Sequence, residues 1–214
     1  MLPTLATAYF AACPKLFAAF AQAAQVAGAK TANNFGQAAK QAVANVGNKT
    51  YTVTLSGIPA NLAELKALPE GALKEPEHAA ALTVAALCMY PVDKEASFEM
   101  LNYLHGPRGL SVSDKQFIQD RFRDKDYVPR SYFVGATPDN NYEPSEPYTI
   151  KFFENPYARQ NIDEGYLTLQ VESGGADSPR QIRLRTKPST GEWFLWEQFI
   201  LSDIRPPKAA DPWA

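Results

Sequence analysis

The spacing of apolar residues changes once along the chain, and this change limits the possible folds more than any other feature. Between residues 76 and 123 apolar residues recur three or four apart, which predicts helices. Between residues 148 and 201 they alternate with polar residues, which predicts strands. Helices followed by strands with short connections indicate an α+β fold with an antiparallel sheet.

Three helices are predicted in the first region. The stretch from Pro76 to Tyr90 is apolar almost all round, so we expect a helix that is buried on several sides. Asp93 can cap a second helix. Ser111 and Asp114 resemble a capping box that begins a third helix. In that third helix, three side chains are expected to point inward: Phe117, Ile118 and Phe122.

Four strands are predicted in the second region, which gives a three-helix cluster packed on a β-meander. The strands read YTIKFFE, GYLTLQVES, RQIRLRTK and EWFLWEQFIL. In the last strand, alternation places Phe199 on the face of Trp193 and Leu195. The earlier stretch 50–57 also alternates, so it is a candidate for an additional strand.

The segment 124–147, called the aromatic loop below, fits neither spacing. With Tyr148 it contains five aromatic residues and four prolines, a composition that indicates an ordered segment. Its rings either pack against the sheet or form a binding surface, because Tyr and Arg are frequent at interface hot spots. A catalytic role is a third interpretation. The candidates for partner or ligand binding are Tyr127, Arg130, Tyr132, Tyr142 and Tyr148.

Residues 1–49 are Ala-rich, contain no acidic residue and are predicted to form a helical arm or hairpin. Gly28, Ala32 and Gly36 are four apart and form a ridge of small residues that lets another helix approach closely. The arm is expected to pack on its own domain or to mediate self-association. A helix on a membrane surface is a third interpretation. Residues 50–214 are predicted to form a single domain that ends in a tail, 202–214.

The charge and hydropathy exclude several classes of partner. A net charge of -2 gives no overall basic field, which argues against nucleic-acid binding. A row of basic residues on one predicted strand, Arg183, Arg185 and Lys187, is expected to be a solvent-exposed face. No stretch is long and apolar enough to predict a membrane span. The opening lacks the basic region of a signal peptide, so a cytoplasmic location is expected, with a secreted or envelope-associated protein as the alternative.

The residues that carry metal or cofactor chemistry are sparse. His78 and His105 are the only histidines, and neither has the spacing of a zinc site. Cys13 and Cys88 are expected to be buried free thiols, and no phosphate-binding loop is present. No metal, cofactor or catalytic residue is therefore predicted.

Several stretches are similar to an uncharacterised bacterial domain family. They include SYFVGATPDNNY, SGGADSPRQIRLR and the terminal DPWA, and the resemblance covers residues 59–214. It implies a bacterial source and one compact unit, and it brings no activity, cofactor or catalytic residue with it. Helices followed by a meander that ends in GEWFLWEQF also resemble the nuclear-transport-factor-2-like cone, in which helices and sheet enclose a pocket.

These patterns predict a non-enzymatic protein-interaction or structural module that self-associates through the N-terminal arm. Its partner would be an unidentified protein or a second copy of the chain. The alternative is a small-molecule-binding or hydrolytic domain with a pocket between helices and sheet. A deep cavity lined by ionisable side chains would favour that alternative.

Overall fold

A computed structural model describes residues 49–210 of the chain. In this range there are four helices and five strands: α1 Leu62–Ala67, α2 Pro76–Cys88, α3 Lys94–Leu104, α4 Val112–Arg121, β1 Thr50–Leu55, β2 Tyr148–Phe153, β3 Tyr166–Val171, β4 Arg180–Lys187 and β5 Glu192–Gln198. None of these helices is long and apolar enough to cross a membrane. The predicted arm, with Gly28, Ala32 and Gly36, lies outside the described residues, as do Cys13 and the terminal DPWA. The predicted roles of these residues stay predictions.

The five strands form one antiparallel sheet in the order β1-β2-β3-β4-β5. The α+β fold and the meander are therefore confirmed. The early alternating stretch also joins the sheet, because β1 pairs with β2 along its whole length, from Thr50 opposite Phe153 to Leu55 opposite Tyr148. In this order β1 and β5 are the two edge strands.

The core lies between the inner face of the sheet and helix α2. Every residue from Ala79 to Leu87 is buried, as the apolar composition of this stretch predicted. Its alanines let the helix backbone approach the sheet closely, and α2 contacts β1, β3, β4 and β5. Leu82 and Leu87 are fully buried, and each contributes about 2 kcal/mol to folding by burial of apolar surface.

The caps of the helices agree with the sequence. The Asp93 carboxylate accepts a hydrogen bond from the amide of Ala96 at the start of α3. Ser111 and Asp114 form the predicted capping box of α4. Such local hydrogen bonds depend only on neighbouring residues, which is why the sequence identifies them.

The aromatic loop fills a gap in the sheet. β2 and β3 pair at only two positions, beginning with Phe152 opposite Val171. Where these strands separate, the loop residue Phe133 forms a β-bridge with Ile150, and the amide of Val134 donates to a carbonyl of β2. Beyond β3, the amide of Gly174 donates to the Ser131 carbonyl at 2.9 Å. The loop therefore connects the two halves of the sheet.

The same loop holds the chain after β5, residues 199–205. Three tyrosine hydroxyl groups each donate a hydrogen bond to a backbone carbonyl of this segment. The pairs are Tyr127 with Ile204 at 3.2 Å, Tyr132 with Ile200 at 2.6 Å, and Tyr142 with Arg205 at 2.7 Å. Because Ile200, Leu201 and Ile204 are buried, these bonds also satisfy carbonyl groups that are withdrawn from water.

A β-bulge interrupts the last hairpin. Leu195 lies opposite Leu184, but the next pair is Glu197 with Arg183, so Trp196 is an extra residue without a partner on β4. An extra residue of this kind changes the face on which the following side chains lie. The bulge therefore sets the direction of every side chain at the end of β5.

Two predicted orientations are wrong. Phe199 was expected on the same face as Leu195, which is buried, but the bulge at Trp196 shifts the alternation and Phe199 is 50% exposed. Phe117 was expected to point inward like Ile118, but it is 41% exposed. In α4 the spacing does not decide between these neighbouring residues, and only Ile118 faces the core.

Candidate functional site

A groove opens between α4 and the edge strand β5. Its cavity volume is about 260 Å³. The floor is apolar and consists of Leu87, Leu101 and Ile118, from three different helices. One wall is formed by five consecutive residues, 195–199, and Phe117 lies on the other wall. The groove therefore follows the edge of the sheet.

The turn between α3 and α4 lies directly on β5. Gly106 has a φ of 59°, a left-handed conformation that favours glycine, and a Cβ atom at this position would overlap the ring of Phe194. This close contact brings the following Arg108 to the end of the groove. Its guanidinium carbon is 4.8 Å from the centre of the Trp196 ring. The contact of this turn with β5 therefore positions a charged side chain.

Four ionisable residues line the groove. Three of them, His105, Arg108 and Asp114, lie together, and the fourth, Glu197, belongs to β5. Nη2 of Arg108 is 2.9 Å from Nδ1 of His105. Because arginine only donates, Nδ1 accepts this hydrogen bond, and the imidazole is neutral with its proton on Nε2. Burial, and then the charge of Arg108, lower the pKa of His105 to about 4. Burial alone would raise the pKa of Asp114, but hydrogen bonds from Ser111 and the positive charge of Arg108 hold it below its usual value.

The buried, neutral His105 predicts a pH dependence of stability. Its pKa is about 4 in the folded state against 6.5 in the unfolded chain, so the unfolded state binds more protons between these values. The stabilisation is complete above pH 6.5 and is lost as the pH falls towards 4, by about 3 kcal/mol. Urea unfolding at neutral and acidic pH should show this loss. The variant His105→Gln should lose about 3 kcal/mol less over the same range; equal losses would contradict the prediction.

Four side chains form what we call the Trp196 cluster at the end of the groove: Trp196, Arg108, Arg185 and Tyr166. The guanidinium of Arg185 is 4.9 Å from the centre of the Trp196 ring and 5.0 Å from that of Tyr166. The two rings meet edge to face with centroids 5.4 Å apart. Two arginines therefore contact one indole ring.

The residues predicted as a binding surface lie elsewhere, and none of them lines the groove. Tyr127, Tyr132 and Tyr142 are buried, and Tyr127 and Tyr142 stack with ring centres 5.4 Å apart. Arg130 and Tyr148 are half-buried. The burial of the three rings is what the packing interpretation requires, and a binding role for the five residues stays a prediction.

The residues of the Trp196 cluster were not predicted from the sequence to form a site. A signal was present, because Arg185 belongs to the predicted exposed row and Trp196 to the aromatic last strand. Nothing in the sequence indicated that the turn after α3 would bring Arg108 to the same ring, since this depends on a contact between distant segments.

A second polar cluster, called the Glu154 cluster, consists of Tyr51, Glu154 and Arg159. The carboxylate of Glu154 is 5% exposed, accepts a hydrogen bond from the Tyr51 hydroxyl, and receives two from Arg159, at 2.6 and 2.7 Å. Burial would raise the pKa of Glu154, but the bonds from Arg159 and Tyr51 lower it below its usual value. Both carboxylate oxygens have partners, so the cluster connects β1 to the chain after β2.

The described residues show little sign of metal or thiol chemistry. Within 49–210, no three His, Cys, Asp or Glu side chains come together as a group that could bind a metal ion. Burial raises the pKa of Cys88 to about 12, so its thiol stays protonated and unreactive at neutral pH.

A sequence model described as Domain of unknown function (DUF6935) matches residues 57–208. The match contains all residues of the groove and of the Trp196 cluster, and it agrees with the resemblance to an uncharacterised domain family. No curated protein and no solved structure matches the chain. The likeness to the nuclear-transport-factor-2-like cone stays a prediction.

Proposed function

The chain belongs to the DUF6935 family, and because the description of that family names no activity, we propose a function from the groove itself: the domain binds a short linear segment of a partner protein between α4 and β5. This is a protein-interaction function. It takes up the interaction hypothesis that the sequence favoured, and it moves the binding surface from the aromatic loop to the edge of the sheet.

The observation that carries this proposal is a pair of exposed aromatic side chains on the groove. In residues 49–210, Phe117 and Phe199 are the two phenylalanines with a large exposed surface, and both line the groove. Each leaves apolar surface in water next to an apolar floor. Because each ring is already about half buried, covering it contributes about 1 kcal/mol, and aromatic anchors beside a desolvated centre are typical of interface hot spots.

The shape of the groove favours a linear ligand. It runs beside the last four residues of the edge strand β5 and the residue that follows them, and the edge of a sheet is a position at which extended peptides commonly bind. Its volume is about 260 Å³, whereas pockets that enclose drug-sized molecules have volumes of about 300–1,000 Å³. A short extended segment can contact the floor with one or two side chains and continue into solvent at either end.

A second candidate is binding of a small molecule in the same groove. The ionisable side chains of His105, Arg108 and Asp114 favour it, because such groups fix the orientation of a polar ligand. The interior between α2 and the sheet is filled by the core, so a small molecule would bind in a surface opening such as the groove.

Selection from a random peptide library on the full chain tests the main proposal. Binding of the selected peptides would be measured by fluorescence anisotropy with the wild type and with the double variant Phe117→Asp, Phe199→Asp. We expect the double variant to bind about ten-fold more weakly or worse, since it loses two apolar contacts and adds charge to the groove. Both side chains are substantially exposed, so the fold should tolerate the change.

Tyr157→Asp is the matched control, because Tyr157 is an aromatic side chain that is 75% exposed and lies outside the groove. Its peptide affinity should equal that of the wild type. Peptides that bind the double variant as tightly as the wild type would contradict the proposal. If no peptide is selected while small polar fragments shift the NMR signals of His105, the result contradicts the main proposal and supports the second candidate.

A further inference from the structure

The Trp196 cluster indicates the chemistry of the bound segment. Resting on the proposed function, we propose that the segment is acidic and that one of its carboxylates lies at the Trp196 end of the groove, against Arg108 and Arg185. The reasons are the way in which these arginines are held, the pairing of the nearby carboxylates, and the rigidity of the two stacked guanidinium groups.

Arg185 is held by aromatic rings and has no carboxylate partner among the described residues. Its guanidinium is 4.9 Å from the centre of the Trp196 ring and 5.0 Å from the centre of the Tyr166 ring, and the residue is exposed. A contact with a ring face engages the flat surface of the guanidinium. The N–H groups along its edge stay available to a hydrogen-bond acceptor.

The two carboxylates that line the groove, Glu197 and Asp114, already have partners. Glu197 binds Arg183 at 3.0 Å. Asp114 accepts hydrogen bonds from the hydroxyl and amide of Ser111, and it is 3.8 Å from Arg108, which is a weak ion pair. Two carboxylates therefore stand beside three arginines, and the charge of Arg185 is left uncompensated. An incoming negative charge would be attracted to this end of the groove.

Stacking also prepares the two arginines for a carboxylate. A free arginine loses side-chain freedom when it binds, but a guanidinium that already rests on a ring loses less. A carboxylate matches the guanidinium edge with two parallel hydrogen bonds. Trp196 is in position to hold both arginines because it is the extra residue of the β-bulge. The bulge is thus part of the recognition site.

The test compares matched peptides that bind the full chain. We expect the peptides from the selection to be enriched in Asp or Glu at one position relative to the apolar anchor. Changing that residue to Asn or Gln should weaken binding about ten-fold, because one charge-assisted contact is lost. With the variant Arg185→Met the preference for the acidic peptide should become smaller, because only Arg108 is left to bind the carboxylate. Arg123→Met, which removes an exposed arginine outside the groove, should leave the preference intact.

The outcomes separate this inference from the proposed function. If peptides bind in the groove, weaken with the Phe117 and Phe199 substitutions, and show no preference for acidic residues, the proposed function stands and the acidic segment is refuted. An acidic preference that is as large in Arg185→Met as in the wild type, with an unchanged NMR spectrum outside the cluster, also refutes the assigned position. If no peptide binds, both proposals fail together.

Discussion

Replacing Gly174 by alanine is expected to destabilise the domain by about 3 kcal/mol. A Cβ atom on Gly174 would overlap the carbonyl oxygen of Ala136, which belongs to the backbone of the aromatic loop. The backbone cannot yield without moving the loop, and the hydrogen bond from the Gly174 amide to Ser131 would be strained as well. Urea unfolding followed by circular dichroism measures the loss as a lower midpoint.

Gly57→Ala is the control for this substitution. A Cβ atom at Gly57 meets nothing within 4 Å, so the same chemical change should leave the free energy of unfolding nearly unchanged. If Gly174→Ala unfolds at the same urea concentration as the wild type, the turn after β3 does not pack closely against the aromatic loop.

We expect Arg159→Met to lower the free energy of unfolding by about 2–3 kcal/mol. This is little for breaking a buried ion pair, because Arg159 itself is half exposed. The substitution leaves the buried carboxylate of Glu154 with the Tyr51 hydroxyl and without its two hydrogen bonds from the guanidinium. An uncompensated charge in this position is withdrawn from water. Chemical unfolding at neutral pH measures the difference between variant and wild type.

Two comparisons make the Arg159 result specific. Arg123→Met removes one partner of an exposed pair with Asp120 and should change stability little. The double variant Arg159→Met, Glu154→Gln should be more stable than Arg159→Met alone, because no charge is left buried. A double variant as unstable as the single one would mean that packing of the Arg159 side chain is what stabilises the protein.

The pH dependence of this effect has a definite sign. In the wild type the pKa of Glu154 is lowered, so the stabilisation from its charge is present at neutral pH and is lost as the pH falls through the folded-state pKa. The gap in stability between the wild type and Arg159→Met should therefore narrow in acid. A gap that is constant with pH would contradict an electrostatic origin.

Features that depend on neighbouring residues were predictable from the sequence. The caps at Asp93 and Ser111, the buried helix from Ala79 to Leu87 and the period of the strands all follow from spacings of a few residues. Each of these rests on local hydrogen bonds or on one amphipathic face.

Features that depend on contacts between distant segments were not predictable. The bulge at Trp196 breaks the alternation on which the face of Phe199 was predicted. The meeting of Arg108 with Trp196 requires the turn at Gly106 to lie on β5, and no pattern within either segment contains that information. The candidate groove is built from these two features, which is why sequence reasoning placed the binding surface in the aromatic loop.

The position of the aromatic loop between β2 and β3 has a consequence for the order of folding. Strands β3, β4 and β5 are close in sequence and can pair with one another early in folding. Strand β1 pairs with β2, which is about 100 residues away, and such long-range pairing is slow. The aromatic loop holds the strands together, because it forms hydrogen bonds with β2, with the turn after β3 and with the segment after β5. We therefore expect the pairing of β1 and β2 with strands β3 to β5 to form late in folding and in a single cooperative step.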